Sequence, residues 1–467
     1  MDGVFLLVYI ITFSCVIAYA CSIRLDHIGF EDGVLIGLLF FILAPVTIAL
    51  IEGGISSLSM LAGPFRPLHD HVTSLQICIG CFLIIAFHWL ARRLIRPAGR
   101  GRGPVDRKHG GKLVIGLFMA TYVVCNTIYF LSSGKIAGGH WQGNLEIGLK
   151  NNLLLIVIGN FSNVFRGAIF GVLYNSYTKN LVTKKTVILV GFVVVAFDVL
   201  TTFNRITAAY YAITLLLVYR RHFPVIALAS IPVLPVVGYL SMIWSSLRGL
   251  AIVDGYSLSG FANAASVVNS AIASGAMQFG QSINGIFDSE NIIVLDWIVK
   301  NTGQQFPILY GYTFFLRPIT VLIPSFFWPE KPGVFGVMVG GHLQGISGLA
   351  LNSTIFGEAF GNFYYFWPIP LFFMLLVLSF IFTRLSRRWP FIDGASFFVG
   401  FALWRFDMSF AFISLLGLSG VIVAWTVVNR FFARSRSRHR RPLGAPPVVI
   451  GGRMPPRSWM EGNTCQR

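Results

Sequence analysis

The feature that most constrains this chain is a recurring run of about 20 apolar residues, the length an α-helix needs to cross a bilayer core about 30 Å thick. About eleven runs bounded by charge or by Gly and Pro can be read along it: Val4–Ile23, Gly33–Ile51, Val72–Ala91, Leu113–Leu131, Leu153–Tyr174, Thr186–Thr201, Thr207–Tyr219, Pro224–Trp244, Phe366–Phe382, Ala395–Trp404 and Phe410–Val428. The last two share a turn near Arg405-Phe406-Asp407, so they could tilt or re-enter. A chain with 55% apolar and 12% charged residues and a mean hydropathy of +0.72 cannot have water as its main solvent. The expected fold is therefore an all-α polytopic transmembrane bundle.

Charge placement orients the bundle, because Lys and Arg in short loops are retained on the cytoplasmic side. Arg24, the stretch Arg92–Lys112, Lys179–Lys185, Arg220-Arg221, Arg384–Arg388 and the tail from Arg430 together hold 26 of the 36 basic residues. The N-terminus is then outside and the C-terminus inside. The net charge of +18 thus sits in collars that meet anionic headgroups and calls for no nucleic acid. The first run lacks a basic leader and reads as a span rather than a signal peptide. The expected organisation is a transmembrane domain over 1–432, an extracytoplasmic cap over 245–365 inserted within it, and a basic disordered tail over 433–467, rich in Arg, Pro and Gly.

Cys78-x-x-Cys81 lies in an apolar run with no further ligand nearby and reads as packing. No metal set is expected; His69, Asp70 and His71 are the nearest candidates, and they read as a short-loop coincidence. No cofactor is implied.

The polar chemistry gathers in the long segment between two spans. Ile292–Val299 reads as an amphipathic helix, and the prolines around Trp328-Pro-Glu-Lys fix a rigid turn able to hold Glu330 and Lys331. Trp297, Phe326, Phe327, Trp328, Phe360, Phe363, Tyr364, Tyr365 and Trp367 suit an interface position or could stack on sugar rings. Ser353 and Thr354 before Gly357-Glu358 either cap a helix or bind a ligand. Arg205, Arg248, Arg317, Lys331 and Arg405 fall on the outer side, where insertion disfavours positive charge; together they would suit a lipid-linked diphosphate, since guanidinium binds phosphate oxygens bidentately. Arg166 lies inside a span beside Asn160 and Asn163, and is either functional or satisfied by Asp198 on a neighbouring helix.

Gly311-Tyr-Thr, Ile-Pro-x-x-x-Trp-Pro-x-Lys-Pro at Ile323–Pro332, and Ser353-Thr with Gly357-Glu358 and Asn362-Phe before a span resemble the O-antigen polymerase family of oligosaccharide repeat unit polymerases. Asn204-Arg205 leading a span that ends in Arg220-Arg221 is similar to the Arg-led helix of that family. The likeness covers about Thr202–Leu371. It departs where the family often reads Ile-Pro-Arg, because Ser325 follows Pro324 here.

The resemblance implies a metal-independent glycosyltransferase of GT-C-like architecture in the bacterial inner membrane. Such an enzyme joins oligosaccharide units carried on undecaprenyl diphosphate, with a flippase and a chain-length regulator as partners. On that reading Arg205, Arg317 and Arg405 contact the diphosphate, and Glu358 or Glu330 takes the proton of the acceptor hydroxyl. Lys331, Arg248, Arg166, Trp328, Ser353, Thr354 and Asn362 line the substrate. A ligase that transfers a finished glycan, or a lipid-linked sugar transporter, are the alternatives. Replacing Arg205 by Ala is expected to abolish polymer while the protein stays in the membrane; wild-type chain lengths from a stable variant, read on a glycan gel, would refute its role.

Overall fold

The structure is a computed structural model that describes residues 2–23, 28–55, 62–95, 110–132, 153–202, 206–222, 225, 236–243, 246, 258–274, 287, 289–321, 323, 327–346 and 349–439. Among these the chain is helical, with no strand and only two isolated bridges, Ile55 to Phe65 and Thr302 to Phe306. The helices are α1 (Asp2–Ser22), α2 (Phe30–Leu38), α3 (Ala44–Glu52), α4 (His71–Leu90), α5 (Gly110–Ser132), α6 (Leu153–Thr178), α7 (Lys184–Thr202) and α8 (Ile206–Val218). They continue as α9 (Leu258–Ala273), α10 (Glu290–Asn301), α11 (Arg317–Thr320), α12 (Phe335–Gln344), α13 (Thr354–Phe363), α14 (Pro368–Arg388), α15 (Phe391–Ala402) and α16 (Ser409–His439).

Five helical stretches are long and apolar enough to cross a membrane: Gly3–Ser22, Phe30–Glu52, His71–Ile95, Ile115–Ser132 and Pro368–Arg388. They mark a membrane protein. The second joins α2 to α3 through a π-turn over Leu39–Leu43. Three expected spans are shorter apolar helices, Ile206–Val218, Phe391–Ala402 and Ser409–Ala424. The expected span Pro224–Trp244 lies mostly outside the described residues. Contacts divide the chain into a unit over Met1–Ser419 and a second over Gly420–Arg467. Residues 433–439, expected to begin a disordered tail, instead continue α16 as helix to His439.

Two arrangements build the first unit. The first joins α1, α2 and α4. Phe5 stacks on His71, and Tyr19 lies against His88, so α1 and α4 run parallel. At the Tyr19 end, the His88 ring links the Tyr19 hydroxyl at 2.9 Å to the Asp32 carboxylate at 3.0 Å. Asp32 also pairs with Arg92 at 3.0 Å. Buried carboxylates need such partners, because desolvation of an unpaired charge costs several kcal/mol.

The second arrangement sets α15 between α2 and α6 through glycines. Gly33 meets the Phe397 backbone, Gly37 the Trp404 ring and Gly400 the Phe30 carbonyl, while on the other side Gly171 and Gly394 face each other backbone to backbone. Small residues let helices approach this closely, which substitutes packing for the hydrophobic drive that lipid does not supply. The Trp404 indole then donates to the Val34 carbonyl at 2.8 Å.

Segment 245–365 was expected to rest on the membrane surface as a small cap. Two of its described helices, α10 and α13, instead pack against α4 and α14. Phe356 of α13 sits against Gly80 of α4 and between the rings of Trp367 and Trp404. Trp367 and Phe360, expected at an interface, are buried, and the Trp367 indole donates to Gln76 at 2.7 Å. Phe327 and Tyr365 do stay exposed. The stretch expected to be amphipathic, in α10, is buried on nearly every side, because α4 and α13 both cover it. Lys300 clamps this helix to the start of α4, reaching Asp70 at 2.6 Å and Asp296 at 2.7 Å, while the Thr73 hydroxyl donates to Asp296 at 2.6 Å. Cys78 and Cys81 are buried on α4 as free thiols.

A Cβ at Gly171 would collide with the Gly394 carbonyl, whereas one at Gly116 would meet nothing. Gly171→Ala is therefore expected to destabilise by about 1–3 kcal/mol, the usual cost of overpacking, and Gly116→Ala to leave stability unchanged or raise it. Thermal unfolding in detergent tests the difference; equal melting temperatures would contradict the close approach.

Candidate functional site

The site forms where α15 ends early. Twelve residues make about 18 Å of helix, well short of a bilayer core, and the turn Leu403–Met408 that follows is buried at Leu403, Trp404 and Met408 and partly exposed at Arg405, Phe406 and Asp407. Helix α13 lies over this turn, and the Met408 N–H donates to Glu358 Oε2 at 2.7 Å. Around it opens a cavity of about 420 Å3, within the ~300–1,000 Å3 range of small-molecule sites. Its walls come from Asn160 and Asn163 on α6, Arg317 on α11, Lys331 on the loop after it, Ser353, Thr354 and Glu358 at α13, and Arg405, Asp407 and Ser409 at the turn into α16.

The structure thus brings Arg317, Arg405, Glu358, Lys331, Ser353 and Thr354 onto one cavity. Arg205 and Arg248 lie outside the described residues. Glu330 is exposed and not among the lining residues, and its carbonyl accepts from the Tyr312 hydroxyl at 2.8 Å. Trp328 also stays off the cavity, as part of the turn that aims Lys331. Asn362 is fully buried and spent on structure: its Nδ2 donates to Thr313 Oγ1 at 2.7 Å and to the Glu358 carbonyl at 2.8 Å. Those bonds fasten the π-turn Tyr312–Leu316, which leads directly into Arg317. Ser353 makes no side-chain cap to α13.

Arg166 does not reach the cavity itself. Its Nε donates to Asp198 Oδ1 at 2.9 Å, and its Nη1 donates to Asn163 Oδ1 at 2.8 Å. Asp198 also accepts from the Tyr122 hydroxyl at 2.5 Å and from the Thr207 hydroxyl. The pairing across helices that the sequence left open is therefore present, and it touches the site through Asn163.

Cations and acids are interleaved on the walls. The Arg317 Nη1 donates to the Pro332 carbonyl at 2.7 Å, and its Nε lies 3.4 Å from Asp407 Oδ2, an ion pair without hydrogen-bond geometry. Lys331 donates to the Ile323 carbonyl at 2.6 Å. Partial burial, with the nearby Arg317 charge, pushes the Lys331 ammonium below its ordinary range. Two cations held this close favour an anion between them.

Glu358 is 1% exposed, and its Oε1 has no partner. Burial drives its carboxyl well above the usual range, and the Asp407 charge adds to this against the Met408 N–H and Arg317. The backbone entering α13 is strained as well. Thr354 has φ of +65°, a region that costs a β-branched residue on the order of 1–3 kcal/mol and that collects at functional sites.

Sequence reasoning missed Asp407, Asn163 and Ser409 as members of the site. Asp407 stood two residues from Arg405, and Asn163 was noticed only as a neighbour of Arg166; no local signal marks Ser409. No group of three or more metal-binding side chains occurs among the described residues. No protein-family model, curated protein or solved structure matches the chain.

A carboxyl that keeps its proton more tightly when folded stabilises the fold at low pH and loses that contribution as pH rises through its folded value. Glu358 should therefore lower the melting temperature as pH climbs above the usual carboxylate range. Glu358→Gln keeps the neutral shape and should flatten that decline; identical pH slopes for the two proteins would show that Glu358 is not held neutral.

Proposed function

We propose that the chain joins glycan units carried on a lipid diphosphate, acting as a polytopic, metal-independent glycosyltransferase of the repeat unit polymerase type in a bacterial inner membrane. The observation that carries this reading is the single cavity in which Arg317, Lys331 and Arg405 meet a buried carboxyl, Glu358, whose Oε1 has no partner. In this reading about eleven spans, N-terminus outside, turn the cavity toward the periplasm. The 26 cations of the opposite loops fix that orientation.

The chemistry needs little more than these groups. The acceptor hydroxyl oxygen forms a bond to the anomeric carbon while the bond from that carbon to the phosphate oxygen breaks, and its electron pair leaves with the diphosphate. Arg317, Lys331 and Arg405 stabilise the charge that develops there. The acceptor proton passes to Glu358 Oε1. A burial-raised carboxylate is a stronger base than an ordinary one, and the ionised fraction of Glu358 carries this step. Arg205 would join the cations, as the resemblance implies.

Deleting the gene and separating the cell's glycans on a gel tests the reading. A ladder that collapses to one repeat unit supports a polymerase. Loss of all transferred glycan would point to a ligase, and lipid-linked units stranded on the cytoplasmic side would point to a flippase. Complementation with Arg317→Ala or Glu358→Gln should restore at most about one hundredth of the polymer, the scale set by losing one charge-stabilising or proton-transfer group. Full ladders from either stably inserted variant would overturn the assignment.

A further inference from the structure

The cavity carries both cations and uncharged polar groups, with Arg405 and Ser409 close together on the turn into α16 and the others on separate elements. Arg317 and Lys331 belong to α11 and the loop that follows it. Asn160 and Asn163 come from α6, and Ser409 from the start of α16. The Ser409 hydroxyl is buried and has no partner. Carboxamides and hydroxyls without net charge match the hydroxyl groups of a sugar ring better than they match phosphate.

The bond from Arg166 decides what Asn163 can offer. A guanidinium has only donors, so the atom of Asn163 facing Arg166 Nη1 at 2.8 Å must be its oxygen. With that oxygen turned to Arg166, the Nδ2 amine with its two donors is the part of the amide left free of the pair. Arg166 is itself held by Asp198, which Tyr122 and Thr207 fix in turn. The amide is thus locked in one orientation by Arg166 on its own helix and, behind it, by Asp198, Tyr122 and Thr207 on three other helices; none of the four lines the cavity.

We infer that Asn163, together with Ser409, forms a subsite for the neutral sugar next to the diphosphate, and that the buried Arg166–Asp198 pair is the positioning device that makes Asn163 a pure donor there. The inference rests on the lipid-diphosphate reading and adds to it a specificity for the glycosylated lipid over the bare one. Arg166 is then a positioning residue and does not touch substrate.

The test measures binding of two kinds of lipid to the full-length protein in nanodiscs: undecaprenyl diphosphate, and undecaprenyl diphosphate bearing one glucose or one N-acetylglucosamine. Wild type should bind the better glycosylated probe about tenfold more tightly than the bare lipid, one good hydrogen bond or so of discrimination. Asn163→Ala should erase most of that ratio and leave affinity for the bare lipid within about twofold. Asn163→Asp keeps an oxygen for Arg166 but removes the donors, so it should erase the ratio too while melting like wild type.

Arg166→Lys retains a cation beside Asp198 yet lacks the rigid fork that spans Asp198 and Asn163. It should stay folded and still lose discrimination, an outcome that a purely structural role would not produce. A wild-type ratio in Asn163→Asp would overturn the subsite, and a wild-type ratio in Arg166→Lys would overturn the positioning role. If wild type binds both lipids equally, with loss of both in Arg317→Ala, the diphosphate reading stands and the sugar subsite falls. Binding of neither lipid would overturn both.

Discussion

Everything around the cavity depends on one close contact, the packing of α15 against backbone on both sides. Gly33, Gly37 and Gly400 close one seam and Gly171 and Gly394 the other. A helix gripped that way is fixed in height as well as in direction, because any slide would drive Cβ atoms of its neighbours into the gaps left by glycine. Since α15 is only 12 residues long, its end is fixed inside the bundle, and the turn that follows must find hydrogen-bond partners there. Glu358 supplies one by accepting from Met408. The buried carboxyl is a consequence of the short helix: a backbone amide that water cannot reach needs an acceptor.

Charge follows the same logic at greater depth. Asp198 and Arg166 are both almost wholly buried. Such a pair seldom adds net stability over an apolar replacement, but losing one partner alone typically costs about 3–5 kcal/mol. A pair of this kind is better understood by what it orients. Here further donors of the guanidinium and acceptor sites of the carboxylate are used by Asn163, Tyr122 and Thr207, and Asn163 carries the network to the cavity.

The helical, membrane-crossing character was legible because it is written in long local runs, and most of the described helices begin and end close to those runs, α16 running on past its own to His439. Part of the site was legible for the same reason: Arg317, Lys331, Glu358 and Arg405 stand out as charges in otherwise apolar surroundings. The rest depended on contacts between distant positions. Nothing near Asn163 in sequence says that it lines the same cavity as Ser409, about 250 residues later, and nothing near Phe356 says that it fills the space left by Gly80. Trp328 and Glu330 misled for a physical reason. A proline-rich turn is rigid wherever it lies, and rigidity alone does not say which of its side chains faces inward. Trp367 and Phe360 misled because an aromatic before a span suits an interface and a packed interior equally well.

On the eleven-span reading proposed above, in which α6 and α7 are both spans, the Arg166–Asp198 pair also bears on how the chain enters the bilayer. A lone arginine at the centre of an inserting helix costs about 2.5–3.5 kcal/mol on the insertion scale, and an aspartate nearer the end of its helix, as Asp198 is in α7, adds a smaller cost. The two residues lie on successive helices, α6 and α7. Leaving the translocon together as a hairpin, these helices can neutralise each other before meeting lipid; leaving singly, each would carry its charge unaccompanied. The wall that carries Asn163 is therefore laid down as a paired unit, well before synthesis reaches the arginine that completes the opposite side of the cavity.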